Sequence, residues 1–74
     1  MNRVRLGNRL KTLRKQRGYS QEQLANLIGV SRSTLSRYEK DKTSPMMDVL
    51  EKMAIHLDTT ITWLCSEFNS ELFL

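Results

Sequence analysis

Residues 21–38, Gln21 to Tyr38, constrain this chain more than any other segment. Leu24 and Ile28 are four residues apart, so in a helix they share one face, with Ala25 and Leu27 beside them. Ala25 is small enough for another helix to cross closely. Gly29 follows the last apolar residue of that stretch, where a backbone of positive φ commonly ends a helix and glycine adopts it without steric cost. Val30 turns inward, and Ser31 is suited to cap a second helix. Leu35 and Tyr38 give that second helix its buried stripe, leaving Arg32, Ser33, Ser36 and Arg37 on the opposite side.

Upstream, Ser20 followed by Gln23 forms a capping-box pattern at the start of the first of these helices. Each signal is common alone. At these fixed offsets they specify two short helices joined by a tight, glycine-containing turn. That is the helix-turn-helix pattern, whose second helix enters the DNA major groove.

Length and charge narrow the classes. Seventy-four residues make one domain, 1–74, with a core that is marginal on its own. No apolar stretch reaches the ~20 residues a membrane span needs, and Met1 to Arg17 is too basic for a secretory signal. The single cysteine, Cys65, forms no internal disulfide, and no Cys/His cluster suggests zinc, so a reducing cytoplasm and no cofactor or metal are expected. Residues 1–42 hold eleven lysines and arginines against three acids, a net +8, whereas residues 43–74 hold Lys52 against five acids, a net −4. A basic half that coincides with the helix-turn-helix favours a polyanionic partner over a merely solvated face.

The rest of the chain has helical periodicity and no period-two alternation, so an all-α, five-helix fold is expected. Helix 1 is read from Val4 to Gln16, with Leu6, Leu10 and Leu13 on one face and Gly18 stopping it. Helices 2 and 3 run Gln21 to Ile28 and Arg32 to Lys40. Ser44-Pro45 is read as the entry to helix 4, with Pro45 in its first turn, followed by Leu50, Met53, Ala54 and Leu57. Thr59-Thr60 caps helix 5, whose stripe is Ile61, Leu64, Cys65 and Phe68, continued by Leu72. On that stripe Cys65 is expected to be buried and inert. His56 is read as a surface helix residue, and Met46, Met47 and Met53 as core and edge filler.

From about Leu6 to Leu64, most of its length, the chain resembles the lambda-repressor/Cro-like (XRE-type) helix-turn-helix family. The matching residues are Arg9-Leu10-Lys11-Thr12-Leu13-Arg14, Gly18-Tyr19-Ser20-Gln21, Leu24-Ala25, Gly29-Val30-Ser31, Leu35, Tyr38-Glu39 and Pro45. Leu50, Met53-Ala54, Leu57 and Ile61-Thr62-Trp63-Leu64 complete the pattern. Asp41 and Asp58 stand where the family usually has glycine. Aspartate tolerates a left-handed backbone better than most residues, so the turn at Asp41 is expected to be kept.

The resemblance implies a regulator that binds double-stranded operator DNA through helix 3. Arg32 and Arg37 are the expected base readers, because arginine donates two parallel hydrogen bonds to guanine O6 and N7. A phosphate contact or an exposed ion pair is the alternative for each. Ser33 and Ser36 are smaller candidates for base contact, direct or through water. The family implies that Gln21 bonds a phosphate and supports the first side chain of helix 3. Ser31, Thr34, Lys40, Lys42 and Thr43 are phosphate candidates, since hydroxyls and lysines clamp the backbone without reading sequence. Arg9 and Lys11 are placed near phosphate or in solvent. The family further implies a buried salt bridge between Arg14 and Glu39.

Residues 60–74 are read as helix 5 and a dimerisation tail. Trp63, Leu64, Phe68, Leu72 and Phe73 are more apolar surface than one small monomer has room to bury. A homodimer would set two recognition helices ~34 Å apart on a palindromic site. The competing reading folds the tail back over helices 1 and 5. A homodimeric repressor, cytoplasmic and bacterial or phage-encoded, is the expected function. A protein antagonist is a possible further partner. An antitoxin that also binds a toxin is the alternative, and a protein-interaction module with an idle helix-turn-helix is a more distant one. No catalytic pair or phosphate-cradling loop suggests an enzyme.

Overall fold

The structure, a computed structural model, describes residues 6–65, and all regular structure among them is helical. The expected start of helix 1 at Val4 lies outside the described residues, as do Phe68, Leu72 and Phe73. The elements are α1 (Leu6–Gln16), α2 (Gln21–Ile28), α3 (Arg32–Glu39), α4 (Met47–His56) and α5 (Ile61–Cys65). α3 packs on α1 and α2, α4 on α2 and α5, and α5 closes back on α1.

Local chemistry accounts for the boundaries. Ser20 caps α2 with both bonds of the capping box: the Gln23 backbone N–H donates to Ser20 Oγ at 3.1 Å, and the Ser20 N–H donates to Gln23 Oε1 at 2.8 Å. Gly29 ends α2 in the left-handed region at φ 77°, and the Val30 N–H bonds back to the Ala25 carbonyl. Ser31 then caps α3, accepting from the Thr34 N–H at 3.1 Å. Asp41 and Asp58 both take positive φ, 58° and 54°, and so perform the turns for which the family commonly uses glycine. Thr60 caps α5 through the Trp63 N–H at 3.0 Å.

Leu10, Leu24, Ile28, Leu35, Met53, Leu57 and Leu64 are fully buried and form the centre of the core. They come from all five helices, so no pair of helices has a complete core without the others.

Four expectations from the sequence need correcting. Pro45 does not occupy the first turn of α4. It is buried one residue before the N-cap, Met46, which makes no side-chain cap hydrogen bond. Cys65 is exposed, because α5 turns the preceding Leu64 into the core and one helical step carries Cys65 away from it. Leu64 itself is wholly buried within the chain and presents nothing to a partner, so it leaves the list of dimer contacts. His56 is half-buried rather than fully at the surface, and Met46 and Met47 are exposed while Met53 is core.

Candidate nucleic-acid interface

The buried stripe of α3, Leu35 and Tyr38, fixes which way the helix faces. Arg32, Ser33 and Arg37 are consequently exposed, and Ser36 is half-buried. Gln21, at the first turn of α2, joins Arg32, Ser33 and Ser36 around a shallow, open concavity. Arg37 does not line it and stands further along α3. The expected base-reading and helix 2 residues thus come from two helices onto one surface.

The hydroxyls of Ser31 and Thr34 lie 2.8 Å apart at the N-terminus of α3, bonded to each other as well as to the cap. Lys40 is the C-cap of α3, and Lys42 and Thr43 follow in an exposed loop. That loop is not loose at its start: Asp41 and Lys42 donate their backbone N–H groups to the Tyr38 and Arg37 carbonyls at 3.1 and 2.9 Å.

Behind the concavity lies the Arg14–Glu39 pair. Arg14 Nε donates to Glu39 Oε2 at 2.6 Å and Nη2 to Oε1 at 3.2 Å, with both residues buried to 8% and 7% exposure. This two-point contact ties the end of α1 to the end of α3. A third bond, Arg14 Nη1 to the Tyr19 carbonyl at 2.9 Å, holds the turn into α2. No buried side-chain nitrogen or oxygen among the described residues lacks a partner. Gln21 Nε2 donates to the same Glu39 Oε1 at 3.0 Å.

Two arginines, Arg9 on α1 and Arg17 just after it, serve the fold. Arg9 stacks over the Trp63 ring, 4.8 Å from its centroid, and donates to the Trp63 carbonyl. This replaces the expectation of a phosphate-side or solvated Arg9 with a tie between α1 and α5. Arg17 donates from Nε to the Leu57 carbonyl at 2.9 Å, at the C-terminus of α4, where a cation also meets the negative end of the helix. Sequence spacing gives no signal for either contact, since the partners are 54 and 40 residues away. Lys11 and Lys15 remain exposed.

This architecture is that of a known class. Residues 10–64 match the helix-turn-helix family model HTH_3, and the chain belongs to that family, within its lambda-repressor/Cro-like regulators. It is 40% identical over 63 residues to the HTH-type transcriptional regulator SinR of Bacillus subtilis, covering 84% of this chain and 57% of SinR. Over 65 residues it is 34% identical to the cryptic phage CTXphi transcriptional repressor RstR of Vibrio cholerae, covering 88% of this chain and 59% of RstR. The chain therefore spans less than two thirds of either relative. Among solved structures, it is similar to the P22 c2 repressor in complex with a synthetic operator, with a TM-score of 0.83 and 25% identity over 88% of this chain and 98% of that one.

Proposed function

We propose that this chain binds double-stranded DNA sequence-specifically as a homodimeric transcriptional repressor. One contrast carries the reading. Arg9, Arg14 and Arg17 are each committed to protein groups, whereas among the described residues Arg32 and Arg37 form no ion pair and stand exposed on α3. An exposed arginine on a helix of this class has a ready partner in guanine, through O6 and N7.

In this reading α3 enters the major groove. Arg32 and Arg37 read bases, and Ser33 and Ser36 add direct or water-mediated contacts. Gln21, Ser31, Thr34, Lys40, Lys42 and Thr43 hold phosphates on either side. The operator complex of the P22 c2 repressor supports the DNA partner, and the naming of RstR as a repressor supports the sign of regulation. Trp63, 45% exposed beside α1, together with Phe68, Leu72 and Phe73, supplies the apolar surface for a second copy. Two copies match an inverted-repeat site, and a bound dimer blocks a promoter sterically.

Selection of random duplex DNA by the purified chain, at near-physiological salt, tests this. The expected result is an inverted repeat with a guanine in each half-site, lost in an Arg32→Ala/Arg37→Ala variant. Failure of the folded chain to enrich any sequence overturns the proposal. Sedimentation tests the dimer: charged substitutions at Phe68 or Leu72 should weaken self-association and DNA affinity together.

A further inference from the structure

We infer that Glu39, a buried residue of the fold, is a positioning residue for DNA readout, acting through the carboxamide of Gln21. The inference rests on the DNA-binding reading above and concerns the same surface. Its basis is that Glu39 Oε1 is shared. It accepts from Arg14 Nη2 at 3.2 Å on the buried side and from Gln21 Nε2 at 3.0 Å on the side of the concavity.

The chemistry of the acceptor fixes the orientation of the donor. A carboxylate has no proton to give, so a glutamine beside it must present its NH2 end. The Arg14 guanidinium holds the Glu39 carboxylate in place through two hydrogen bonds. Gln21 is therefore held with one N–H committed to Glu39, while its carbonyl oxygen and second N–H remain for the concavity it lines with Arg32, Ser33 and Ser36. Without Glu39 the same carboxamide is a half-buried rotor at the start of a helix, free to flip oxygen for nitrogen. Bound to Glu39, it enters the complex with that choice already made. The Arg14–Glu39 pair thus joins two tasks: it fastens α1 to α3, and it sets the polarity of a side chain on the DNA-facing surface.

Ordering a side chain of this kind on binding carries an entropic cost, so releasing Gln21 should weaken binding roughly 3- to 10-fold. The test is a cycle on the full chain, with the duplex enriched by the selection above as the probe. An Arg14→Met/Glu39→Met variant removes the acceptor while replacing the buried charges by an apolar pair, an exchange that is often neutral for folding. Gln21→Ala removes the side chain being positioned. The paired methionine substitutions should cost about 3- to 10-fold in affinity when Gln21 is present and less than about twofold when residue 21 is alanine. Equal losses in both backgrounds would mean that the pair acts only through the fold, and would overturn the inference while leaving DNA binding intact. A folded, unsubstituted chain that binds no duplex would instead overturn the DNA-binding reading, and this inference with it. Should the methionine variant not fold, the unsubstituted chain decides: NMR should show the two Gln21 side-chain N–H protons distinct from those of solvated glutamines, with slowed exchange. Signals matching those of the exposed Gln16 would overturn it.

Discussion

The carboxylate of Asp41, just past the end of α3, accepts a 3.1 Å hydrogen bond from the backbone N–H of Gly7, in the first turn of α1. The two residues are 34 positions apart. Asp41 sits at φ 58°, in a conformation glycine would adopt more cheaply. The side chain explains why aspartate can serve there: it satisfies one of the N–H groups that the start of α1 leaves without an intrahelical partner, and places a negative charge at the positive end of that helix.

Substitution at Asp41 should therefore follow an order that neither backbone nor side chain predicts alone. Asp41→Ala loses the hydrogen bond and keeps the strained φ, and should cost about 1–2 kcal/mol. Asp41→Gly loses the bond but relieves the strain, and should cost less. Asp41→Asn keeps an oxygen acceptor and a tolerance for the left-handed region, and should cost least. Urea denaturation of the three variants gives the order. If glycine proves the most stable, backbone strain outweighs the capping bond.

Gly7→Ala should destabilise the domain even though alanine is the better helix former. A Cβ at Gly7 would come within 2.5 Å of the Glu39 carbonyl oxygen and 2.8 Å of Asp41 Oδ2. The carbonyl belongs to the last residue of α3 and cannot rotate away like a side chain. Helix propensity favours alanine by about 1 kcal/mol. Overpacking costs typically about 1–3 kcal/mol, so the net change should be a loss. A raised melting temperature would mean that α1 can lift off α3 at little expense.

The Arg14–Glu39 pair gives the largest expected effect. Glu39→Ala strands a buried guanidinium and should cost about 3–5 kcal/mol, which is comparable to the whole stability of a domain this size. Most of the protein should then be unfolded at 25 °C by circular dichroism. Arg14→Met/Glu39→Met should recover most of the loss, because the cost lies in the unpaired charge rather than in the missing bond. An unchanged melting temperature for Glu39→Ala would refute the account.

What the sequence made legible divides by distance along the chain. The cap at Ser20, the turn at Gly29 and the inward stripe of Leu35 and Tyr38 are signals within four residues or fewer, and they located α2 and α3 to within a residue. The orientation of Arg32 and Arg37 followed directly from that stripe. Contacts between distant segments were not legible. Arg9 on Trp63, Arg17 on Leu57 and Gly7 beneath Asp41 each join residues more than 30 positions apart. Arg14 with Glu39 was expected only through family resemblance. Cys65 shows the limit of periodicity: neighbouring positions on a short helix share an apolar pattern, and packing against α1 and α4 decides which one is buried.

Base readers and phosphate clamps on this surface should separate by how their loss is felt. Lys42 lies in the exposed loop after α3, where a compact ammonium can neutralise a phosphate but has no planar fork for a base edge. Arg32 lies at the first turn of α3, in the concavity shared with Gln21. Lys42→Ala should weaken binding to all duplexes about equally and lower the slope of log affinity against log salt by about one. Arg32→Ala should cost about 1–3 kcal/mol on the preferred duplex and relax the preference at a single base position in each half-site. Affinities of both variants for the selected duplex and its single-base substitutions, over a series of salt concentrations, distinguish the two. A uniform loss across sequences for Arg32→Ala would reassign that side chain to the phosphates and leave Arg37 as the arginine that reads sequence.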